Sequence, residues 1–445
     1  MGAPRRFRLP RSTSLALVAT LSAFGCADSV RADVSSPAHP DTLRLRVELG
    51  GSTDVSNELF YEEAFEDTTF LGRRLVSSPQ THYAGVMATT LEGTRGARTQ
   101  SYVVRNDLAI GNRVRRDALG VLWRSRLSPE WRLDATPRIE YRWDRSFDRD
   151  LEQIAASGTA RLRHTFLDPG TAAELGGRAD FSRSSGTSAS FIPDRNAGGA
   201  LFALEHAALA GGDWRIEYAF NARAFPDSQL RDHYEHGIDA RWRNDWPTGS
   251  VWLEVGGERR VPIYSAPSTR DRFLEARIAA EAQAPLSDDF ALRLRAESEA
   301  QHYDSPDDTL YFDYQIARVA LSLRMESAGC WMLGVGPRAE ALFSRHDPGE
   351  AYREIGGAMD CEYLSAHSWW SVSPAAGWRA YEPVPSGSVG LHAAFAFYEL
   401  TAFADQSLPG ALRGRLSVST RFEFHTDDSQ DDRGLYFSLD VRRLF

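Results

Sequence analysis

Residues 131–144, WRLDATPRIEYRWD, alternate between apolar and polar side chains over their whole length. Trp131, Leu133 and Ile139 belong to one alternate set, and Arg132 and Glu140 belong to the other. Because successive side chains of a β-strand point to opposite faces, this period of two predicts a strand with one apolar and one charged face. The stretch is longer than most strands of globular proteins, so it restricts the fold to sheets with long strands.

The same alternation recurs further along the chain, for example in residues 290–301 and 411–425. Short turns separate pairs of such segments near residues 92–96, 127–131, 167–171, 210–214, 246–250, 286–290, 327–331, 365–369 and 408–412. From the second turn onward the step is roughly 36 to 43 residues, which fits two strands and one longer loop. The spacing predicts one all-β domain, residues 42–445, with about 18–20 strands.

Aromatic residues recur just after the short turns, at Trp131, Trp214, Trp252, Phe290, Trp331, Trp369 and Trp370. We assign Trp131, Trp214, Trp331 and Trp369 to an aromatic girdle, since one level of the structure would repeat them around a ring. The alternative is that they are core aromatics of a large soluble β-protein. The opposite loops, such as 144–153, 302–309, 346–350 and 425–434, are longer and acidic.

The N-terminus has the pattern of a secretory signal, with a basic start followed by about eleven apolar residues and then VRA at 30–32. Cleavage after Ala32 would leave a short periplasmic segment, 33–41, before the first strand. Lipidation at Cys26 is the alternative. Cleavage removes five arginines and one aspartate, so the formal charge falls from −10 to −14. Such acidity argues against a nucleic-acid partner.

The chain ends in a strand, GLYFSLDVRRLF, whose last residue is Phe445. Its apolar set contains Phe437, Leu439, Val441 and Phe445. At this strand, and more weakly at the opening LRVELGG, the chain resembles Gram-negative outer-membrane β-barrel proteins of the porin-like type. The resemblance implies a single closed transmembrane antiparallel up-and-down barrel with short periplasmic turns. It also implies location in the outer membrane, contact with its lipids and lipopolysaccharide, and recognition of the last strand by the barrel-assembly machinery.

In such a barrel the charged face would line the lumen. The candidates for this lining are Arg132, Arg138, Glu140, Arg142, Arg215, Glu217, Arg277, Glu281, Arg293, Arg295, Glu297, Arg413, Arg415, Arg421 and Glu423. They either select solutes by charge and size or stiffen the wall through cross-strand ion pairs, and both roles are compatible. The acidic, aromatic stretch 52–81 is expected to be a loop that folds inward or lies at the surface.

Some residues do not fit the alternation. Pro137, Pro337 and Pro374 fall inside expected strands and suggest local bulges, as does a phase change near Ile316. Cys330 and Cys361 lie on neighbouring strands in an oxidising compartment, so a disulfide between them is one alternative. His233 and His236 are three residues apart on a strand and would face opposite ways, which argues against a shared metal ion.

The sequence therefore predicts an outer-membrane channel for small solutes. The alternatives are a scaffold or exit component of a surface-polymer export system, and an outer-membrane hydrolase. No catalytic motif is recognisable, and no enzymatic activity, cofactor or metal is expected.

Overall fold

The alternating segments form β-strands in the computed structural model, which describes residues 42–66, 69–95, 99–146, 149–167, 170–186, 193–208, 212–264, 272–304, 313–327, 330–344, 348–382, 393–426 and 431–445. There are twenty strands, and the fifth is divided into two segments at Thr136 and Pro137. They are β1 (Thr42–Glu66), β2 (Thr69–Arg95), β3 (Gln100–Gly111), β4 (Val114–Arg126), β5 (Trp131–Ala135 and Arg138–Ser146), β6 (Arg149–Thr165), β7 (Thr171–Ser185), β8 (Arg195–Ala208), β9 (Gly212–Ala224), β10 (His233–Trp246), β11 (Gly249–Pro262), β12 (Phe273–Pro285), β13 (Phe290–Tyr303), β14 (Tyr314–Ser327), β15 (Trp331–Ser344), β16 (Tyr352–Leu364), β17 (Ser368–Tyr381), β18 (Phe395–Leu408), β19 (Leu412–His425) and β20 (Asp432–Leu444).

Each strand pairs antiparallel with the next, and the last strand pairs with the first. Glu48 of β1 lies opposite Leu444 of β20, and the pairing continues to Leu59 opposite Arg433. The backbone N–H of Phe445 donates to the carbonyl of Val47 at 2.8 Å, which adds one more hydrogen bond to the seam. The sheet is therefore a closed up-and-down barrel, as predicted, and its strand number lies within the predicted range.

The two ends of the barrel differ in their connections. At the end where β1 begins and β20 ends, strands are joined by two to five residues. At the other end the connections range from two to thirteen residues. Outer-membrane barrels have short periplasmic turns and longer extracellular loops, so we call the first end the periplasmic end and the second the extracellular end.

The strand register determines the shape of the barrel. Following the pairings once around the sheet shifts the position on β1 by about 24 residues, which corresponds to a strand tilt of about 42°. Twenty strands at that tilt give a circular barrel with a Cα-to-Cα diameter of about 38 Å. Each strand makes its extensive contacts with its two neighbours in the sheet.

The expectation of a loop at 52–81 was wrong. β1 and β2 are 25 and 27 residues long and remain paired to the tip, where Glu66 lies opposite Thr69. β1 leaves its pairing with β20 at Leu59, and β2 joins β3 only from Ala84, so the hairpin rises above its neighbours. The Asn112 side chain caps the end of the β2–β3 pairing, because its amide donates to the Thr81 carbonyl at 3.1 Å.

The bulges predicted at the prolines were also wrong. Around Pro337 and Pro374 the ladder is interrupted on one side only, and around Pro137 it is interrupted on both sides. The same register resumes beyond each gap. A proline lacks one N–H, so it removes a ladder bond without inserting a residue. The register is likewise continuous through Ile316, which lies on the charged side of β14 and is buried.

The described residues outside the strands form turns and two short 3-10 segments, Gln229–Arg231 and Pro348–Glu350. Across the part of the chain that is described, no helix has the length and hydropathy needed to cross a membrane.

Candidate functional site

The two alternate sets of side chains form two faces of the wall. The apolar face comprises the alternates that include Trp131, Ile139 and Val335, and its large apolar side chains are exposed, Ile139 and Val335 by 51% each. The charged face comprises the other alternates, among them Arg132 on β5, Arg215 on β9 and Arg421 on β19. Exposed apolar side chains in such number have no place on a protein surrounded only by water.

Ion pairs on the charged face connect strands that are not neighbours. Arg338 of β15 donates to Glu399 of β18 at 3.2 Å. Arg161 of β6 lies 4.0 Å from Glu217 of β9. Each of these pairs spans three strand positions, which are about 14 Å of sheet at the usual strand spacing. Side chains converge in this way on the concave side of a closed sheet and diverge on the convex side.

Arg215 is the centre of one network. It donates to Glu205 at 2.7 Å, to Glu174 of β7 at 2.8 Å and to Glu217 at 2.7 Å. The Glu174 side chain is only 8% exposed and is also 3.4 Å from Arg163. Of these five residues, the sequence had singled out Arg215 and Glu217.

The predicted candidates of β5 form ion pairs along their own strand. Arg132 lies 2.9 Å from Asp134, Arg138 lies 2.9 Å from Glu140, and Arg142 pairs with Asp144. Glu140 also accepts from Arg116 of β4. On β5 alternate residues share a face, so an arginine and an acid two apart can meet without any help from a neighbouring strand.

The candidates on β12 and β13 pair across strands and along them. Arg277 lies 2.5 Å from Asp239 of β10, and Arg293 lies 2.7 Å from Glu281. Arg295 lies 2.5 Å from Glu297 on the same strand.

Close to the C-terminus, Arg413 and Arg415 both bind Asp405 of β18, at 2.6 and 3.0 Å. Arg421 pairs with Glu423 at 2.6 Å and with Glu399. Every predicted lining residue therefore has an oppositely charged partner.

Another network lies on β15–β19, and the sequence did not single out most of its members. Arg379 donates to Glu354 at 2.7 Å and lies over the Tyr352 ring at 4.0 Å. Arg338 binds Glu354 at 3.2 Å, and Phe395 is buried beneath Arg379. The network borders a groove of about 500 Å³ whose charged residues are Arg295, Glu297, Arg318, Arg338, Glu340, Glu354, Arg379, Glu399 and Arg421. Glycines and a proline interrupt the alternation on β15, so the sequence pattern did not reveal Arg338 and Glu340.

Among the described residues, three carboxylates on β11–β13 have no ion-pair partner. Glu258 lies directly opposite Glu275, and Glu299 is one strand further along. Glu299 accepts a hydrogen bond from the Tyr314 hydroxyl at 2.7 Å. Within the described ranges, neither Glu258 nor Glu275 forms an ion pair.

His233 and His236 face opposite sides, as their spacing predicted. His233 is buried on the charged face beside Glu235, 3.0 Å away, and Glu235 also pairs with Arg223 and Arg260. His236 is hydrogen-bonded to the Tyr218 hydroxyl at 2.8 Å. In the described part of the chain, no group of three or more metal-ligating side chains could hold a metal ion.

Comparison with known proteins gives the fold and little more. No family model matches the sequence, and no curated protein matches it. The siderophore receptor PirA from Pseudomonas aeruginosa matches with a TM-score of 0.54 and 10% identity, over 92% of this chain and 81% of the receptor. The FrpB iron transporter from Neisseria meningitidis gives 0.55 and 10%, over 90% and 81%, and the copper transporter OprC gives 0.53 and 11%, over 89% and 80%.

This protein has the fold of an outer-membrane β-barrel. The closed sheet and the likeness to these barrels agree on the fold. Sequence identities near 10% show the fold alone.

In this barrel, Trp131, Trp214 and Trp331 lie on the apolar face near the periplasmic end. Trp131 packs on His164, with ring centroids 4.4 Å apart, and Trp331 packs on Tyr363 at 4.7 Å. A second aromatic level follows further up, for example Trp143 on β5 and Trp378 on β17.

Trp369 was assigned to the girdle wrongly. It lies opposite Asp405 and packs on Phe403 at 4.8 Å, so it belongs to the charged face. Its neighbour Trp370 takes the apolar side. Two adjacent tryptophans fit either phase of the alternation, and only the register decides between them. Trp252 lies on the charged face as well, opposite Arg243.

Cys330 and Cys361 are both free thiols in the structure, so the disulfide considered from the sequence is absent. The register explains why. Leu364 donates its N–H to the carbonyl of Cys330, whereas Cys361 lies opposite Leu333. The two cysteines are thus about three residues out of line, or about 10 Å along the strand, beyond the Cα separation that a disulfide allows.

Proposed function

We propose that the protein is an open channel that passes small polar solutes across the outer membrane, with the charged face lining the bore. The observation that carries this proposal is the set of ion pairs that reach over three strands, such as Arg338 to Glu399. Their reach fits the concave side of the closed sheet, and the exposed apolar face then meets lipid.

The width of the barrel supports an open bore. If long side chains extend about 6 to 7 Å inward from a Cα diameter of about 38 Å, a free width of about 25 Å remains. Barrels of 16 to 18 strands already leave an aqueous channel. The described strands form the wall of the barrel, and each makes its extensive contacts with its two neighbours in the sheet.

The aromatic residues of the apolar face support a transmembrane placement. With the tilt above, Trp131 and Trp143 on β5 are separated by about 30 Å along the barrel axis, and Trp370 and Trp378 on β17 by about 20 Å. These distances bracket the apolar band of about 25 Å that outer-membrane barrels present between two aromatic girdles. We therefore propose that Trp131, Trp214 and Trp331 mark the periplasmic interface.

The ion pairs suggest what kind of channel this is. Each predicted lining charge has a counter-charge within the wall, so little charge remains to bind one solute strongly. Networks such as that of Arg215 stiffen the wall, and the wide bore excludes solutes mainly by size. We propose a general channel with modest charge preference.

Single-channel recording in planar bilayers tests the proposal. Protein that shows the heat-modifiable migration of a folded barrel should insert and conduct in discrete steps, and a heat-unfolded sample from the same preparation should not. Folded protein that inserts and carries no current would refute an open bore. Liposome swelling with neutral solutes of increasing size then gives the size limit.

The same width favours a second candidate, an exit component for a surface polymer. A bore of about 25 Å admits a polymer chain as well as small solutes. Polymer exclusion distinguishes the two candidates. A cut-off near the size of small oligosaccharides supports the solute channel, whereas free passage of large polyethylene glycols supports the export role. The similar barrels are a siderophore receptor, an iron transporter and a copper transporter, and we propose transport rather than hydrolysis.

A further inference from the structure

Like charges face each other directly at several places on the charged face. In most of the sheet, charged cross-strand neighbours have opposite signs, as Glu205 opposite Arg215 shows. Like charges directly opposite each other destabilise a sheet, so the exceptions require a reason.

The arginine pairs concentrate at the periplasmic end. They are Arg132 with Arg163, Arg215 with Arg241, and Arg413 with Arg442. Arg126, the last residue of β4, is also opposite Arg132. One further arginine pair, Arg116 with Arg142, lies in the extracellular half.

The carboxylate pairs lie at the opposite end. They are Glu258 with Glu275, Glu340 with Glu354, and Glu423 with Asp432, each within about five residues of an extracellular strand end. A fourth pair, Glu217 with Asp239, is at mid-height. No like-charged carboxylate pair occurs at the periplasmic end among the described strands.

We propose that the channel wall is electrically polar along the barrel axis. Cations then pass from the outside to the periplasm, and anions from the periplasm to the outside, more readily than in the reverse directions. This inference rests on the proposed function, since it requires an open bore. A negative outer half accumulates cations and a positive inner mouth accumulates anions. A voltage that is positive outside drives both kinds of ion toward the middle of the channel and raises its conductance. The reverse voltage depletes the middle of ions and lowers the conductance.

Ionic strength should control the effect. The Debye length is about 30 Å at 0.01 M salt, comparable with the free width of the bore, and about 3 Å at 1 M. At low salt the wall charges act on the whole cross-section, and at high salt they act only on a thin layer next to the wall. Asymmetric conduction at low salt that disappears at high salt is thus the signature of axial polarity, whereas a steric asymmetry would persist.

The experiment is a current–voltage curve of single wild-type channels in 10 mM and 1 M KCl. We expect currents of opposite voltage sign to differ by about twofold or more at 10 mM and to be about equal at 1 M. A Cys361→Ser variant biotinylated at Cys330, which is exposed in the periplasmic β14–β15 turn, reports orientation, because streptavidin then binds from the periplasmic chamber only. The larger current should flow when the extracellular side is positive.

A pair of double variants identifies the charges responsible. Glu258→Gln with Glu275→Gln should bring the low-salt current ratio closer to one. Asp117→Asn with Glu152→Gln removes two carboxylates at the same end but on the apolar face, and should leave the ratio unchanged. Symmetric low-salt currents in the wild type, the larger current at the opposite voltage, or equal ratios in both double variants would overturn the inference. Absence of any current would instead refute the open channel.

Discussion

Arg442 and Arg443 are neighbours in sequence, yet they face opposite sides of the wall. The Arg442 guanidinium binds Asp440 on the charged face at 2.8 Å. The Arg443 guanidinium lies over the ring of Phe445, 4.9 Å from its centroid, on the apolar face. Arg443 is two residues from the periplasmic chain end, where its stem can stay beside lipid while the charge reaches water.

This placement predicts very different effects for two charge changes on one face. A charge on the lipid side of a barrel costs about 2 to 4 kcal/mol at the midplane and about 0 to 1 near the interface. Leu439→Arg, opposite Thr53 and nearer mid-depth, should therefore reduce the yield of folded barrel severely, and Arg443→Leu should change it little. Ser438→Arg is the matched control, since it adds the same charge at the preceding residue, which lies on the charged face. Equal yields of the two apolar-face variants would contradict the placement of Arg443.

The Arg215 network predicts a local stability difference. Glu174 is nearly buried and is approached by Arg161, Arg163 and Arg215. Glu174→Gln leaves these arginines short of a carboxylate and should lower the free energy of unfolding by about 1 to 3 kcal/mol. The comparison is Asp245→Asn, which disrupts an exposed pair with Arg243 worth about 0 to 1 kcal/mol. Denaturant unfolding followed by tryptophan fluorescence measures both, and similar losses would mean that the network adds nothing beyond a surface pair.

Much of the fold could be predicted because a barrel in lipid requires one apolar and one charged face along every strand. The alternation around Trp131 and Arg132 fixes both the strand and its faces, and the nine short turns follow from it. The aromatic and acidic residues of the stretch 52–81 do not alternate cleanly, and this pattern predicts a loop rather than strands. Its strand structure depends on pairing between β1 and β2 rather than on one strand's own pattern.

The candidate site could be predicted only in part. Residues such as Arg295 and Glu297 belong to a regular alternation and were identified. The partner of Arg338 could not be found, because Glu399 is three strands away and comes near only through strand tilt and curvature. Whether Trp369 lies on the apolar or the charged face depends on the register between neighbouring strands, which the pattern of a single strand does not reveal.

The uncompensated carboxylates predict a substitution that stabilises the barrel. Glu275 lies opposite Glu258 and forms no ion pair within the described residues. Glu275→Gln removes a like-charge contact and should raise the free energy of unfolding by about 0.2 to 1 kcal/mol. Glu281→Gln, on the same strand and face, removes the partner of Arg293 at 2.7 Å and should lower it. Unfolding midpoints of both variants at low salt measure these changes. A shift of the midpoint in the same direction in both variants would contradict the conclusion that Glu275 is repelled and Glu281 is paired.

The free cysteines predict a simple gel result. Cys330 is exposed in the β14–β15 turn, and Cys361 lies opposite Leu333 and Val372 on β16. Because the register holds them about 10 Å out of line, wild type and Cys330→Ser should migrate equally after unfolding without reductant. Each should also take up a maleimide after unfolding without prior reduction, the wild type at both barrel cysteines and the variant at one. Faster migration of the wild type alone, abolished by reductant, would show that a disulfide forms and that the β15–β16 pairing differs from the one described.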